Sequence, residues 1–104
     1  MIDDQTLDAL KAEHGDELHV LDAAGQTVVA KVPSRAEYQR FMATSSDKKK
    51  AEQALYNLAA GCIVHPPRAE WAAIADKRPG LPSTFASELL KLAGLVDEVD
   101  AKKA

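Results

Sequence analysis

The chain of 104 residues has room for one domain with one core, and its 46% hydrophobic and 28% charged content is ordinary for a globular protein. A formal net charge of −3 gives no general attraction to nucleic acid, and no apolar run approaches the roughly 20 residues that a membrane span requires. The single cysteine, Cys62, cannot form an internal disulfide, and the acidic start "MIDDQTLDAL" does not read as a secretory signal, so a soluble chain in a reducing cytoplasm is expected.

The spacing predicts a short helix over 3–13, with Leu7 and Leu10 three apart and Gly15 placed to end it. The period then becomes alternating. Leu18 and Val20 mark one strand, Val28, Ala30 and Val32 a second, and "DAAGQ" is a turn in which Gly25 can take positive φ. A lone hairpin needs a helix on its apolar face. The expected cover begins at Ser34, which with Glu37 has the S-x-x-E spacing of a capping box. Tyr38, Phe41 and Met42 make the stripe that would pack on the hairpin.

Ser45 or Ser46 is positioned to cap the next helix, whose apolar stripe is Ala51, Ala54, Leu55, Leu58 and Cys62, with Ile63 beside it. The basic run "DKKK" (47–50) reads as its solvated start and has no flanking aromatics to stack on bases. Cys62 and His65, in "GCIVHPP", raise the question of chemistry. A zinc site needs four ligands, and the other histidines, His14 and His19, lie near the N-terminus without metal-ligand spacing. A Cys–His nucleophile needs both groups in hydrogen-bond reach and a third to orient the base. The plainer reading is structural: Cys62 is a small core hydrophobe, Pro66 ends the helix near His65, and Pro67 starts the next one. His65 would then sit at a helix C-terminus.

Pro79-Gly80 stops the helix that follows, and Pro82 opens the last one in its first turn. Phe85, Leu89, Leu92, Val96 and Val99 are spaced 4, 3, 4 and 3 apart, a heptad-like stripe that runs through Gly94. These five are the candidate partner-binding residues. They would act through a segment after Gly94 that turns helical on an apolar helix of a partner or on a second copy of the chain. The expected fold is α+β and mainly helical, with an N-terminal helix, one β-hairpin and about four helices packed on it. Residues 1–94 form the domain and 95–104 a polar tail. No catalytic, cofactor or metal site is expected, since there is no phosphate loop, G-x-S-x-G or H-E-x-x-H.

The order of these pieces resembles the tail assembly chaperones of tailed bacteriophages and prophages. The residues that carry the likeness are Pro33, Ser34, Arg35, Glu37, Tyr38 and Phe41, then Cys62 with Pro66, then Pro79, Gly80, Leu81 and Pro82. The resemblance spans about residues 17–94. It implies a non-catalytic protein of the bacterial host cytoplasm that binds the tape measure or tail tube protein during tail morphogenesis. The alternatives are a structural virion component, such as a tail-completion or head–tail connector protein, and a small interaction or regulatory domain. The last would engage nucleic acid through Lys48–Lys50, Arg35 and Arg40.

Overall fold

The computed structural model describes residues 3–15, 17–95 and 101–103. Among these residues the fold is α+β: five helices and a three-stranded antiparallel sheet, with a helix preceding the hairpin. Helix α1 (Asp4–His14) starts where the Asp3 carboxylate accepts the Thr6 N–H at 2.6 Å, and it ends at Gly15, φ 94°. Strands β1 (Leu18–Ala23) and β2 (Gln26–Lys31) are joined by two residues, Ala24 and Gly25, with φ 51° and 78°. Positive φ at both central residues is the type I′ pattern, whose twist matches that of paired strands.

The register pairs Leu21 with Val28 and Val20 with Val29, which makes both faces of the hairpin apolar. Val28 and Ala30 point into the core, with Leu21 and Ala23 packed at its edge, whereas Leu18, Val20 and Val29 lie on the opposite face. The two predicted strand stripes therefore do not share one face. Alternation within each strand is visible in sequence, but the register of the turn decides which stripes coincide.

A third strand, β3 (Ile63–His65), extends the sheet beyond the predicted hairpin. It pairs antiparallel with β2 through Ala30–Ile63 and Val29–His65, with an irregularity between them. Helix α3 (Ala51–Cys62) consequently ends three residues before His65, which sits at the end of a strand and not at a helix C-terminus. Pro66 blocks helical geometry at His65, and β-branched Ile63 and Val64 favour extended backbone once the helix has stopped.

Helix α2 (Arg35–Ser45) has the predicted capping box, complete in both directions. It packs chiefly on α3, however, and not on the hairpin. The hairpin's core face is taken by α4 (Arg68–Lys77) and α5 (Leu81–Leu92), which supply Trp71, Ala75, Leu81, Phe85, Ala86, Leu89 and Leu90 to the same cluster as Val28 and Ala30. Seven apolar residues outcompete the narrower stripe of Tyr38 and Phe41, which are half-buried at the cluster's edge. Ser45 and Ser46 close α2 instead of capping α3: their hydroxyls donate to the carbonyls of Met42 and Ala43. The Asp47 carboxylate then accepts the Lys49 N–H, and Lys48–Lys50 form an exposed turn ahead of α3.

Helix α5 is the centre of the domain. Pro82 lies in its first turn, where a missing N–H costs nothing, and the Phe85 and Trp71 rings meet at 5.8 Å and 57°. The helix is closed by Gly94, φ 103°, in a Schellman arrangement: the Leu95 N–H donates to the Leu90 carbonyl and the Gly94 N–H to that of Lys91.

Candidate functional site

Glu37, Cys62 and Lys31 meet where α2 crosses the end of α3. The S-x-x-E cap fixes Glu37 in the first turn of α2, with its Oε1 accepting the Ser34 N–H at 3.1 Å. Gly61 lets the two helices approach, since a Cβ there would stand 3.3 Å from Glu37 Oε2. That same oxygen accepts the Cys62 thiol at 3.6 Å, and Lys31 Nζ at the end of β2 lies 3.8 Å from Oε1. One carboxylate thus joins a helix start, a helix end and a strand end.

The electrostatics follow from this geometry. Burial pushes the Cys62 thiol up, and the neighbouring Glu37 carboxylate adds to it, to a pKa of about 12. Burial also raises the Glu37 carboxyl, but its hydrogen bonds with Ser34 and the charge of Lys31 outweigh that, and its pKa is lowered. A fully buried thiol with that pKa is thiolate in roughly one molecule in a hundred thousand at pH 7, so Cys62 is a poor nucleophile. Its partner is Glu37, 25 residues away, and not His65. His65 is half-buried against Val29 and acts on Asp3, whose carboxyl is held low first by the Thr6 N–H and hydroxyl and last by the imidazole. Among the described residues no group of three or more His, Cys, Asp or Glu could hold a metal ion.

A groove of about 90 Å³ runs beside this joint between α2 and α3, lined by Arg40, Phe41, Ala54, Asn57 and Leu58. Small-molecule sites generally need about 300 Å³ or more of enclosed space. Two wider depressions, of about 340 Å³ beside Tyr56 and Pro79 and about 300 Å³ beside His65 and Gly25, lie open on the surface.

The predicted partner-binding stripe divides three ways. Phe85 and Leu89 are 2% and 0% exposed and belong to the domain's own core, so they present no surface to a partner while the fold is closed. Leu92 is half-buried at the core's edge, and Val96 and Val99 lie outside the described residues. The stripe does not run through Gly94 as one helix, because the Schellman turn stops α5 there. Arg35 and Arg40 are exposed, as are Lys48–Lys50. Sequence reasoning did not foresee the Glu37–Cys62 contact; its one local signal was the capping box, which fixes where Glu37 stands but not what it faces.

Together these features define a small helix-rich α+β domain with a polar joint where α2 crosses the end of α3. Residues 9–102 match a family described as a domain of unknown function, DUF6848, and the chain belongs to that family. The fold is similar to that of a solved structure, the uncharacterised protein rbstp2171 from Bacillus stearothermophilus. The TM-score is 0.76 at 26% identity, covering 92% of this chain and 99% of that one. No curated protein matches the chain. Among the described residues no helix is long and apolar enough to cross a membrane.

Proposed function

We propose that the protein is a non-catalytic tail assembly chaperone of a tailed phage or prophage, working in the bacterial host cytoplasm and binding the tape measure or tail tube protein. The observation that carries this reading is the contact between Glu37 and Cys62. It joins two of the separate stretches on which the resemblance rests, Glu37 from the first and Cys62 from the second. Pro33, Pro66, Leu81 and Pro82, which belong to the same pattern, are buried. The burial of Cys62 and the raised pKa of its thiol support a role by contact, since this is the most obvious nucleophile in the chain.

The test is co-expression of the full chain with the tape measure protein of its phage, and separately with the tube protein. A soluble complex that co-elutes on size exclusion is expected with one of them. Both remaining insoluble, with no complex, would overturn the proposal. Mass spectrometry of purified particles addresses the structural alternative: a chaperone is absent from finished virions, whereas a connector or completion protein is present in fixed stoichiometry.

A further inference from the structure

The sheet has two outer edges, and they are built differently. In the order β1-β2-β3, the β3 edge is three residues long, is stopped by Pro66, pairs with β2 through an irregular register and is met by α1. The β1 edge is six residues long, with an unbroken register from Leu18 to Ala23 and no proline, lysine or arginine. Short length, prolines, basic side chains and bulges are the usual guards of an edge. Asp22 is the strand's only carboxylate, and it turns back to accept the Thr27 hydroxyl of β2. The turn decides which backbone groups face outward. A two-residue hairpin makes Ala23 and Gln26 a hydrogen-bonded pair, so bonded and non-bonded pairs alternate from there. Leu21–Val28 and His19–Ala30 then exchange the bonds of the ladder, while the N–H and C=O of Leu18, Val20 and Asp22 point away from the sheet. The same alternation turns the backbone of Val29 toward β3, where it does pair with His65. Among the described residues, no backbone hydrogen bond reaches β1 from outside its ladder with β2.

We propose that the β1 edge pairs antiparallel with the β1 edge of a second copy of the chain, about a two-fold axis at Val20, joining two three-stranded sheets into one. The strand is complementary to itself in that register. Val20 stands opposite Val20 of the second copy, and Leu18 opposite Asp22 in both directions, so every outward-facing group finds a partner. Centring the pair on Asp22 would oppose two carboxylates. Centring it on Leu18 would leave Val20 and Asp22 beyond the end of the facing strand. Val20 is 43% exposed on the sheet face away from the core, and the axis sets two such side chains side by side, where β-branched residues pack against cross-strand neighbours. Because the two-fold uses the same edge of both copies, pairing consumes that edge, and the short β3 edge stops further growth. This surface is made by the backbone and does not depend on the chaperone reading.

The test uses the full chain alone. One strand pair makes a small interface, so sedimentation velocity should show monomer at about 1 μM and dimer at about 1 mM. In amide hydrogen exchange, the N–H groups of Leu18, Val20 and Asp22 should slow by about tenfold or more at the higher concentration, whereas those of His19 and Leu21 are already bonded within the monomer. Val20→Pro removes an outward N–H that the ladder with β2 does not use, a position at which an edge strand tolerates proline. Val20→Lys opposes two ammonium groups across the axis. Each variant should keep the fold by circular dichroism and weaken dimerisation by about tenfold or more. A monomer at every concentration, a dimer that either folded variant leaves intact, or concentration-dependent protection confined to other segments would overturn the proposal. If neither variant folds, the exchange experiment on the unsubstituted chain decides alone.

Discussion

Helices α1 and α5 are nearly equal in length, at 11 and 12 residues, and each shows apolar residues at helical spacing, yet α5 has six buried residues and α1 none. The difference is one of width. Leu81, Phe85, Ala86, Leu89 and Leu90 cover enough of α5 to meet the sheet, α3 and α4 together, whereas Leu7 and Leu10 give α1 a single narrow seam. Periodicity identifies both as helices, but only the breadth of the apolar face says which becomes the core. A stripe that looks free for a partner, as Phe85 and Leu89 do in sequence, is by the same argument the stripe the domain needs most for itself.

The sharpest test of that contrast is a pair of truncations. Phe85→Ala should cost about 3–5 kcal/mol, as is usual for a buried Phe, and this is a large fraction of a small domain's stability. Leu7→Ala should cost about 1 kcal/mol or less, because the seam is only half-buried. Both are read from denaturant midpoints. Similar losses for the two variants would mean that α1 is as integral as α5.

An intermediate position is held by α2. Phe41 lines the groove against Leu58 but is half-buried, so Phe41→Ala should cost about 1–2 kcal/mol, below the value for a fully buried ring. A loss as large as that of Phe85→Ala would place α2 within the core.

Much of this architecture is legible locally. The S-x-x-E cap, the Ala24-Gly25 turn, Pro82 in a first turn and Gly94 after a last one each act within four or five residues, and each forms as the sequence suggests. What is not legible depends on distance along the chain. Strand β3 is three residues long, too short for alternation to show, and exists because β2 offers an edge. The placement of α2 is decided by competition with α5, and the Glu37–Cys62 contact by the crossing of two helices. Ser45 and Ser46 mislead for a related reason: a serine between two helices can serve either, and here both hydroxyls turn back to α2.

The polar joint gives the comparison a pH axis. The Cys62 pKa is raised from 9.0 to about 12, so the protonated thiol is favoured in the folded state. Its stabilising contribution is fully present below about pH 9 and is lost as pH rises toward 12. Glu37 works in the opposite sense: its pKa is lowered, so its contribution is present above the unfolded value near 4.5 and is lost as pH falls through the folded one. Denaturant midpoints at pH 8 and pH ~10.5 should therefore differ less in Cys62→Ala than in the unsubstituted chain. Midpoints at pH ~6 and pH ~3.5 should likewise differ less in Glu37→Gln. Native Cys62 should also react with a neutral aromatic disulfide about a hundredfold or more slowly than a free thiol at pH 8. Rapid labelling would show that the joint opens, placing the end of α3 with the loosely held periphery.

The smallest expected effect lies at the hairpin tip. Ala24 has φ 51°, in the left-handed region, where a Cβ crowds the following carbonyl at a cost of roughly 1–2 kcal/mol. The turn tolerates this because the opposite sequence requirement, Gly25 at φ 78°, is met, and because Arg78 Nη1 donates to the Ala24 carbonyl at 3.1 Å, fastening the tip to the end of α4. Asn suits that first turn position better than Ala, and its substitution leaves the carbonyl in place for Arg78. Ala24→Asn should accordingly stabilise the domain by about 0.5–1 kcal/mol, a rise in melting temperature of roughly 2–6 °C. A β-branched residue at the same position, Ala24→Val, should lower it. The gain depends on the tip being held in its I′ conformation by the fold. If Ala24→Asn and Ala24→Val melted together with the unsubstituted chain, the tip would not be fixed, and the Arg78 tether would contribute no more to the domain than the seam under α1.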